Sequence, residues 1–466
     1  MDGRNVCGLY GAEANHVDAV QGQGSTDPAH LGERAVLCGV SIPGETHWAY
    51  EHAFGAPAAT TASITSSMNN MRVEQSQHEP KRTPLPEYSN ITALVKVYDI
   101  DLADKFKTSD VLDMIGLLDV GTLPDANWDL DISEFAAARA PALPCVHTLC
   151  VRHAPPLVAG SMSSTALSTT FAPLGTTTSD VRNALIRFLA QALDGDMLMA
   201  EYVLLALLGK VHIRRNGIVI GPFSVNLTGL KHVQLRLVET LRQLMPAVVC
   251  QPLSVGSLND PTQPLYVRGT DSGIQAGRLQ LAPGTCLILD ETKMDEGELN
   301  EAGVKNIRAL LSLLQYHTLP CVFPYSEMDL PADLVFIILS QGKSILPADV
   351  QVHSEAQRNT TQNSAHLSQS SIPSPSTLHA MRVYLAHARQ LTFSIPTHVS
   401  EQIQNDFVAL RRDSRGSFDQ NDLQRCLSTA RLLSLSHGYT ELSADLWQMA
   451  KSLDQARASR IEPRVS

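Results

Sequence analysis

The segment Thr285–Leu314 constrains the fold of this 466-residue chain more than any other stretch. It opens with four apolar residues, Cys286–Leu289, a run that is long enough for a buried strand and too short for a helix. Two acids, Asp290 and Glu291, end the run, and from about Glu298 apolar residues recur at three- and four-residue steps. The segment therefore predicts a buried strand, a turn with paired carboxylates and an amphipathic helix.

The rest of the chain alternates between short apolar runs and helical patterns, and its last part shows only helical periodicity. This alternation predicts an α/β fold class, with a core followed by a helical bundle. The expected organisation is an N-terminal extension or partial domain at 1–50, a flexible linker at 51–90, a small mixed, partly β region at 91–153, a linker at 154–178, an α/β core at 179–350, a low-complexity linker at 351–377 and a C-terminal helical bundle at 378–466.

Two local predictions outside the organising segment depend on short apolar runs. Thr108 or Ser109 can cap a helix whose apolar positions are Val111, Leu112, Ile115 and Leu118, so the pattern predicts a helix there. Residues 276–284, AGRLQLAPG, read as a strand and a turn.

Composition favours a protein partner over nucleic acid. The chain has 36 basic and 47 acidic residues and a formal charge of −11, whereas binding to DNA phosphates needs a local excess of Lys and Arg. The eight cysteines are scattered, and several lie in apolar runs, which is typical of a reducing compartment. The first residues lack the basic and apolar regions of a signal peptide, so we expect a cytoplasmic or nuclear protein.

The carboxylate pair Asp290 and Glu291 is the sharpest chemical signal, because nucleoside triphosphatases hold Mg²⁺ and orient water with acids at a strand end. The alternative is a strand-to-helix turn with solvated acids. A phosphate loop, GxxxxGK[ST], is needed to decide. The segment Ile220–Gly229 is where we expect such a loop, but it has no Lys, and Pro222 lacks an N–H. The triplet Gly342–Ser344 resembles the end of a phosphate loop, yet it follows the acids, so we interpret it as a coincidence in a loop.

Other candidate sites are weaker. Cys145, His147, Cys150 and His153 suggest zinc, but all four lie within nine residues, whereas zinc fingers leave about a dozen residues between their ligand pairs. A β-strand is the favoured interpretation. The pair Arg214–Arg215 is interpreted as a solvated loop rather than a nucleic-acid site.

The organising segment resembles the Walker B region of minichromosome maintenance (MCM) helicase subunits, with LILDE at 287–291 and KMDEG at 293–297. The chain as a whole, which lacks the phosphate loop, resembles the MCM complex-binding protein family. The similar stretches include SIPGETHW at 41–48, GDMLMAEYVLLALLGKV at 195–211, GPFSVNLTG at 221–229 and QGKSILPADVQVH at 341–353. The region before SIPGE is short and unlike the family.

This resemblance implies a degenerate AAA+/MCM-like core with a C-terminal helical lid. It also implies a non-enzymatic nuclear protein that binds MCM helicase subunits, and chromatin through them. Such a protein would regulate assembly, stability or unloading of the MCM complex during DNA replication and sister-chromatid cohesion. Asp290 and Glu291 would be relics of a Walker B site, and no catalytic residue, cofactor, metal, membrane or small-molecule substrate is implied. The alternatives are a divergent AAA+ ATPase and a replication factor that binds DNA directly.

Overall fold

The computed structural model describes residues 2–7, 10–13, 18–19, 31–32, 34–54, 85, 92–119, 144–154, 177–215, 217–230, 233–270, 273–355, 373–413 and 419–461. The fold is mixed α/β. In these ranges we find no helix that is both long and apolar enough to cross a membrane. Most of the three predicted linkers lies outside the described residues, and the predicted domain boundaries stay predictions.

A six-stranded sheet forms the N-terminal part, in the order β1-β7-β8-β6-β5-β2. Its strands are β1 (Asp2–Cys7), β2 (Tyr10–Glu13), β5 (Ala35–Val40), β6 (Thr92–Val97), β7 (Val111–Asp119) and β8 (Cys145–His153). Strands β3 (Asp18–Ala19) and β4 (Leu31–Gly32) form a separate pair, and the helices of this part are α1 (His47–Phe54) and α2 (Ile100–Ala103). Strands from 1–50 and from 91–153 therefore share one sheet.

A five-stranded parallel sheet forms the centre of the second part, in the order β12-β15-β18-β11-β19. Its strands are β11 (Ser224–Thr228), β12 (Val248–Pro252), β15 (Cys286–Asp290), β18 (Val335–Ser340) and β19 (Val350–His353). Since all five strands are parallel, their first residues share one edge of the sheet and their last residues the other. We call these the amino edge and the carboxyl edge.

Short strands and helices surround this sheet. Strands β9 (Ile213–Arg215) and β10 (Ile218–Ile220) form a hairpin, and β13 (Val267–Thr270), β14 (Gly273–Gln275), β16 (Thr318–Val322) and β17 (Glu327–Pro331) form a four-stranded sheet. The helices are α3 (Thr178–Ala192), α4 (Met197–Leu208), α5 (Gln234–Leu244), α6 (Val255–Leu258), α7 (Glu301–Tyr316), α8 (Pro375–Gln390), α9 (Thr397–Asp413), α10 (Gln420–Ser436) and α11 (Ala444–Ile461).

The two faces of the parallel sheet pack against different layers. Val225, Ile288 and Ile337 point into a core built with α3–α5 and the C-terminal helices. Leu287 and Phe336, which alternate with them, point into a second core that contains residues of α7 and of the four-stranded sheet. The strands are buried on both faces, which explains their continuous apolar sequences.

Four arginines of the helical layer make ion pairs with buried or half-buried acids. Arg182 pairs with Glu201, Arg425 and Arg457 both pair with Asp454, and Arg460 pairs with Asp196. These pairs place a carboxylate against each cation, which offsets the cost of removing the charge from water.

The segment 41–48, SIPGETHW, joins the N-terminal sheet to the core. Gly44 has φ +73°, and a Cβ there would lie 2.6 Å from the carbonyl oxygen of Val248, so glycine is required. The Thr46 hydroxyl donates to the carbonyl oxygen of Met245 (3.2 Å). The Trp48 indole donates to the Arg242 carbonyl (2.9 Å), and the Arg382 guanidinium of α8 lies 4.1 Å from the Trp48 ring centroid.

The helix predicted over residues 111–118 is wrong, because these residues form β7. This strand pairs antiparallel with both β1 and β8, and an isolated helix could not satisfy those long-range hydrogen bonds. A Cβ on Gly116 would overlap the His147 carbonyl, which shows how closely the two backbones approach.

The strand predicted within residues 276–284 is also wrong. Leu279 and Leu281 are buried at alternate positions, as in a strand. The backbone nevertheless forms local turns, in which the Gln280 N–H donates to Gly277 and the Thr285 N–H donates to Ala282. The strand, turn and helix predicted for the organising segment are confirmed by β15 and α7.

Candidate functional site

The acid pair lies at the carboxyl edge of the parallel sheet, at the end of β15. Asp290 is paired in register with Pro252 of β12 on one side and Leu339 of β18 on the other. Asp290 is 0% exposed and Glu291 is 7% exposed. The acids are therefore buried, and the interpretation as a turn with solvated acids is wrong.

The two side chains face opposite sides of the sheet, as expected for successive residues of an extended chain. Asp290 lies two residues after Ile288 and so on the same face of the strand, and Ile288 points into the core of the helical layer. Glu291 lies two residues after Leu289, which points into the other core. The two carboxylates consequently do not converge on one point.

One oxygen of Asp290 is held by the following turn. Its Oδ1 accepts hydrogen bonds from the Thr292 N–H (3.0 Å) and the Thr292 hydroxyl (2.6 Å). Its other oxygen, Oδ2, is buried and has no hydrogen-bond partner in the described part of the chain. Asp290 thus stabilises the turn and keeps one unused acceptor.

Glu291 faces the loop between β18 and β19. Burial raises the pKa of Glu291, and hydrogen bonding to the Ser344 side chain and to the backbone of Leu346 and Ile345 opposes this shift. The Glu291 N–H donates to the Leu339 carbonyl (2.8 Å), so the backbone continues the sheet for one more residue. The Gly342–Ser344 triplet, interpreted from sequence as a coincidence, lies in this loop and brings Ser344 next to the acid pair.

A phosphate loop would have to follow β11, and the structure corrects the position expected from sequence. Of the segment Ile220–Gly229, residues 224–228 are β11 itself, and Pro222 lies at the amino edge, away from the acids. The turn after β11 begins at Gly229 (φ +77°), and only residues 230–233 separate it from α5. This turn is too short for the GxxxxGK[ST] pattern.

The space beside this turn is occupied by a side chain. A Cβ on Gly229 would lie 2.8 Å from the imidazole of His353, and the Thr228 hydroxyl is 3.0 Å from His353 Nδ1. The Ser340 hydroxyl, next to it on β18, donates to the Asn226 amide oxygen (2.9 Å). The carboxyl edge is therefore filled by the chain's own polar groups where a nucleotide phosphate would bind.

The four residues considered as zinc ligands lie on β8, which confirms the interpretation as a strand. Cys145 is buried and Cys150 is exposed. His147 Nδ1 is 2.5 Å from the Tyr98 hydroxyl, so this ring is engaged on the N-terminal sheet.

Arg214 and Arg215 are exposed, as predicted from sequence, but they lie on a strand and not in a loop. Arg214 lies on β9, and its guanidinium donates to the carbonyl oxygens of Tyr316 (3.2 Å), His317 (3.0 Å) and Ala332 (2.7 Å). Lys210, Arg389 and Arg431 were not predicted from sequence, and the fold brings them together at the amino edge of the sheet, opposite the acid pair. No local motif marks them, since they come from three separate segments.

Comparison with known proteins gives a consistent result. A family model described as mini-chromosome maintenance replisome factor matches residues 56–461. The chain is 34% identical over 404 residues to the mini-chromosome maintenance complex-binding protein of Danio rerio, covering 81% of this chain and 63% of the relative. The proteins of the same name from Gallus gallus and Arabidopsis thaliana are 29% and 32% identical, covering 92% and 85% of this chain and 79% and 67% of the relative.

Proposed function

The chain belongs to the mini-chromosome maintenance complex-binding protein family, and we propose that it binds subunits of the MCM helicase as a non-enzymatic partner. The observation that carries this proposal is the family match over residues 56–461. The chain spans 63% of the length of its Danio rerio relative, so the partner is proposed here from the relatives' name.

The geometry of the carboxyl edge supports the absence of catalysis. The short turn after β11 and the His353 ring against Gly229 leave the described part of this edge without a phosphate cradle. We propose that the core is a degenerate AAA+/MCM-like core and that α8–α11 are its helical lid. The five parallel strands and the acid pair at the end of β15 support this proposal.

The proposed role is regulation of the assembly, stability or unloading of the MCM complex during DNA replication and sister-chromatid cohesion. The site of action is the nucleus, with chromatin reached through the MCM subunits. The formal charge of −11 supports a protein partner over direct DNA binding.

Size-exclusion chromatography with light scattering tests the proposal. The purified chain is mixed with MCM subunits, with and without ATP and Mg²⁺. A complex that co-elutes equally under both conditions is expected, because binding requires no nucleotide. Failure to co-elute under either condition would contradict the proposal.

A divergent ATPase is the second candidate, because Asp290 Oδ2 and Glu291 Oε1 are buried without partners in the described residues. Thermal unfolding with Mg²⁺ alone, ATP alone and both together distinguishes it. Stabilisation that needs both ligands would favour the ATPase, whereas the binding-protein proposal expects no such synergy.

A further inference from the structure

Cationic side chains gather at the amino edge of the parallel sheet, opposite the acid pair. Gly221, Gly284 and Asp333 lie just before β11, β15 and β18, and so define this edge. Lys210 follows α4 and runs beside Gly221, since a Cβ on Gly221 would overlap the Lys210 carbonyl. The Val211 N–H donates to Asp333 Oδ1 (2.9 Å), which places an acid next to Lys210.

Two arginines of the helical layer reach the same place. Arg389 of α8 donates to the Leu207 carbonyl (2.6 Å), three residues before Lys210. Arg431 of α10 donates to the Gly221 carbonyl. The bundle therefore supplies two guanidinium groups to an edge that already carries Lys210.

These cations lack the carboxylates that accompany other arginines. Arg389 and Arg431 donate to carbonyl oxygens, which carry no net charge. Within the described residues, no acid lies within 4.0 Å of the charged nitrogens of Lys210, Arg389 or Arg431. By contrast, Arg425, Arg457 and Arg460 of the same helical layer each contact an acid.

The electrostatics of the edge reflect this imbalance. Burial lowers the pKa of Lys210. The neighbouring charges of Arg389 and Arg431 lower the same pKa further, and the charge of Asp333 partly opposes these shifts. Burial also lowers the pKa of Arg431 to about 10. Three like charges held together with one acid repel each other, and partial burial strengthens the repulsion.

The backbone before β15 passes close to Arg389. A Cβ on Gly284 would lie 3.8 Å from the Arg389 guanidinium. Gly284 has φ +81° and donates its N–H to the Asp333 carbonyl (2.7 Å), so this backbone also ties Asp333 to the same edge.

We propose that Lys210, Arg389 and Arg431 bind one phosphate-type dianion at the amino edge of the sheet. Asp333 is the acid that interacts with Lys210 and Arg389, whereas Asp349, at the same edge, accepts hydrogen bonds from the Ser224 N–H and hydroxyl. The three cations therefore keep an excess of positive charge over Asp333, which a dianion neutralises and one carboxylate does not. Guanidinium groups match the oxygens of phosphate in geometry, and charge-assisted hydrogen bonds of this kind are the strong ones. The dianion would bridge the helical bundle and the core, because it contacts side chains from both.

Equilibrium dialysis with radiolabelled inorganic phosphate tests the site on the full chain, together with thermal unfolding in phosphate and in chloride at equal ionic strength. We expect one phosphate per chain and a higher melting temperature in phosphate. Lys210→Met should weaken phosphate binding about tenfold or more, because one charge-assisted contact is lost. Lys343→Met, which removes an exposed lysine at the carboxyl edge, is the matched control and should bind phosphate as the wild type does.

The readouts separate the possible outcomes. Lys210→Met should not lower the melting temperature in chloride, since it removes one of three mutually repelling charges. If O-phosphoserine displaces the radiolabelled phosphate, the natural ligand is a phosphorylated side chain. If only unlabelled inorganic phosphate displaces it, the natural ligand is the free ion. The proposal would be overturned if the chain did not bind phosphate, or if Lys210→Met bound phosphate as tightly as the wild type. It would also be overturned if a glutamate-rich peptide bound this edge and phosphate did not. None of these measurements involves MCM subunits.

Discussion

The two edges of the parallel sheet differ in how they satisfy their charges. At the carboxyl edge, acids are buried without cations, and the turn of Thr292, the loop at Ser344 and the ring of His353 occupy the surrounding space. At the amino edge, Lys210, Arg389 and Arg431 lie together, and none of the three forms an ion pair within the described residues. Parallel α/β sheets ordinarily bind ligands at the carboxyl ends of their strands. In this chain side chains fill the carboxyl edge, and the anion site that we propose lies at the opposite edge.

The comparison separates two uses of buried charge. Asp290 shows that an acid can stay buried when a neighbouring hydroxyl and N–H hold one of its oxygens. Arg389 and Arg431 are cations that donate to carbonyl oxygens of the core, at Leu207 of α4 and at Gly221 before β11, and that form no ion pair within the described residues. The hydrogen bonds of a buried charged group therefore do not show by themselves that its role is structural. The balance of positive and negative charges around the group must also be considered.

The largest expected effect comes from Gly221→Ala, which would displace the backbone at the amino edge. Gly221 has φ +120°, and a Cβ there would overlap the Lys210 carbonyl and lie 2.9 Å from the His212 nitrogen. We expect a loss of about 3 kcal/mol or more in unfolding free energy, measured by urea denaturation. The control is Gly217→Ala in the same hairpin, with φ +77° and no atom within 4 Å, for which about 1 kcal/mol is expected. Equal losses in both variants would mean that the amino edge tolerates displacement.

The next effect is a pH dependence at the amino edge. Burial, and secondarily Arg214, lowers the pKa of His317 to about 4 from the ordinary 6.5. Because the unfolded chain takes up this proton first, the stability due to neutral His317 is complete above pH 6.5 and is lost as the pH falls towards 4. The full loss corresponds to about 3 kcal/mol.

His317→Asn removes this titration and keeps a residue type that tolerates the left-handed conformation of position 317 (φ +53°). We expect urea unfolding of this variant to depend less on pH between 6.5 and 4 than that of the wild type. Part of the slope should remain, because burial also lowers the pKa of His437 to about 4. His398→Asn, at an exposed position, is the control. A wild-type slope in His317→Asn would show that His317 does not contribute to the pH dependence of stability.

The smallest effect is expected at the carboxyl edge. Asp290→Asn keeps an oxygen acceptor for Thr292 and replaces a buried carboxylate by a neutral amide, so unfolding free energy should rise by about 1 kcal/mol. Asp290→Ala leaves the Thr292 groups without their acceptor and should lower it by about 1–2 kcal/mol. Both variants should co-elute with MCM subunits as the wild type does. A folded variant that no longer co-elutes would place Asp290 in the interface.

Periodicity and short apolar runs predicted the elements that local sequence determines. β15 is visible in the apolar run Cys286–Leu289, and α7 is visible in the helical spacing after Glu298. The failures occurred where long-range pairing decides the structure. Val111–Leu118 fits helical spacing, yet two neighbouring strands recruit it into a sheet.

The same limit applies to the candidate sites. The sequence correctly located the acid pair at a strand end, because the strand and its acids are contiguous. It could not show that Asp290 and Glu291 are buried on opposite faces, since burial depends on layers from elsewhere in the chain. Lys210 follows α4, whereas Arg389 and Arg431 belong to two different helices of the C-terminal bundle, so only the folded structure reveals them as one group.

The contact between Trp48 and Arg382 has a consequence for cooperativity. Trp48 belongs to the N-terminal part, Arg382 to the helical bundle, and the carbonyls that they bind, of Arg242 and Gln243, to α5. A local opening that detaches any one of these three parts must break contacts made by the other two. Because these contacts would be lost together, we expect amide hydrogen exchange in α1, which carries Trp48, to be coupled to that in α8.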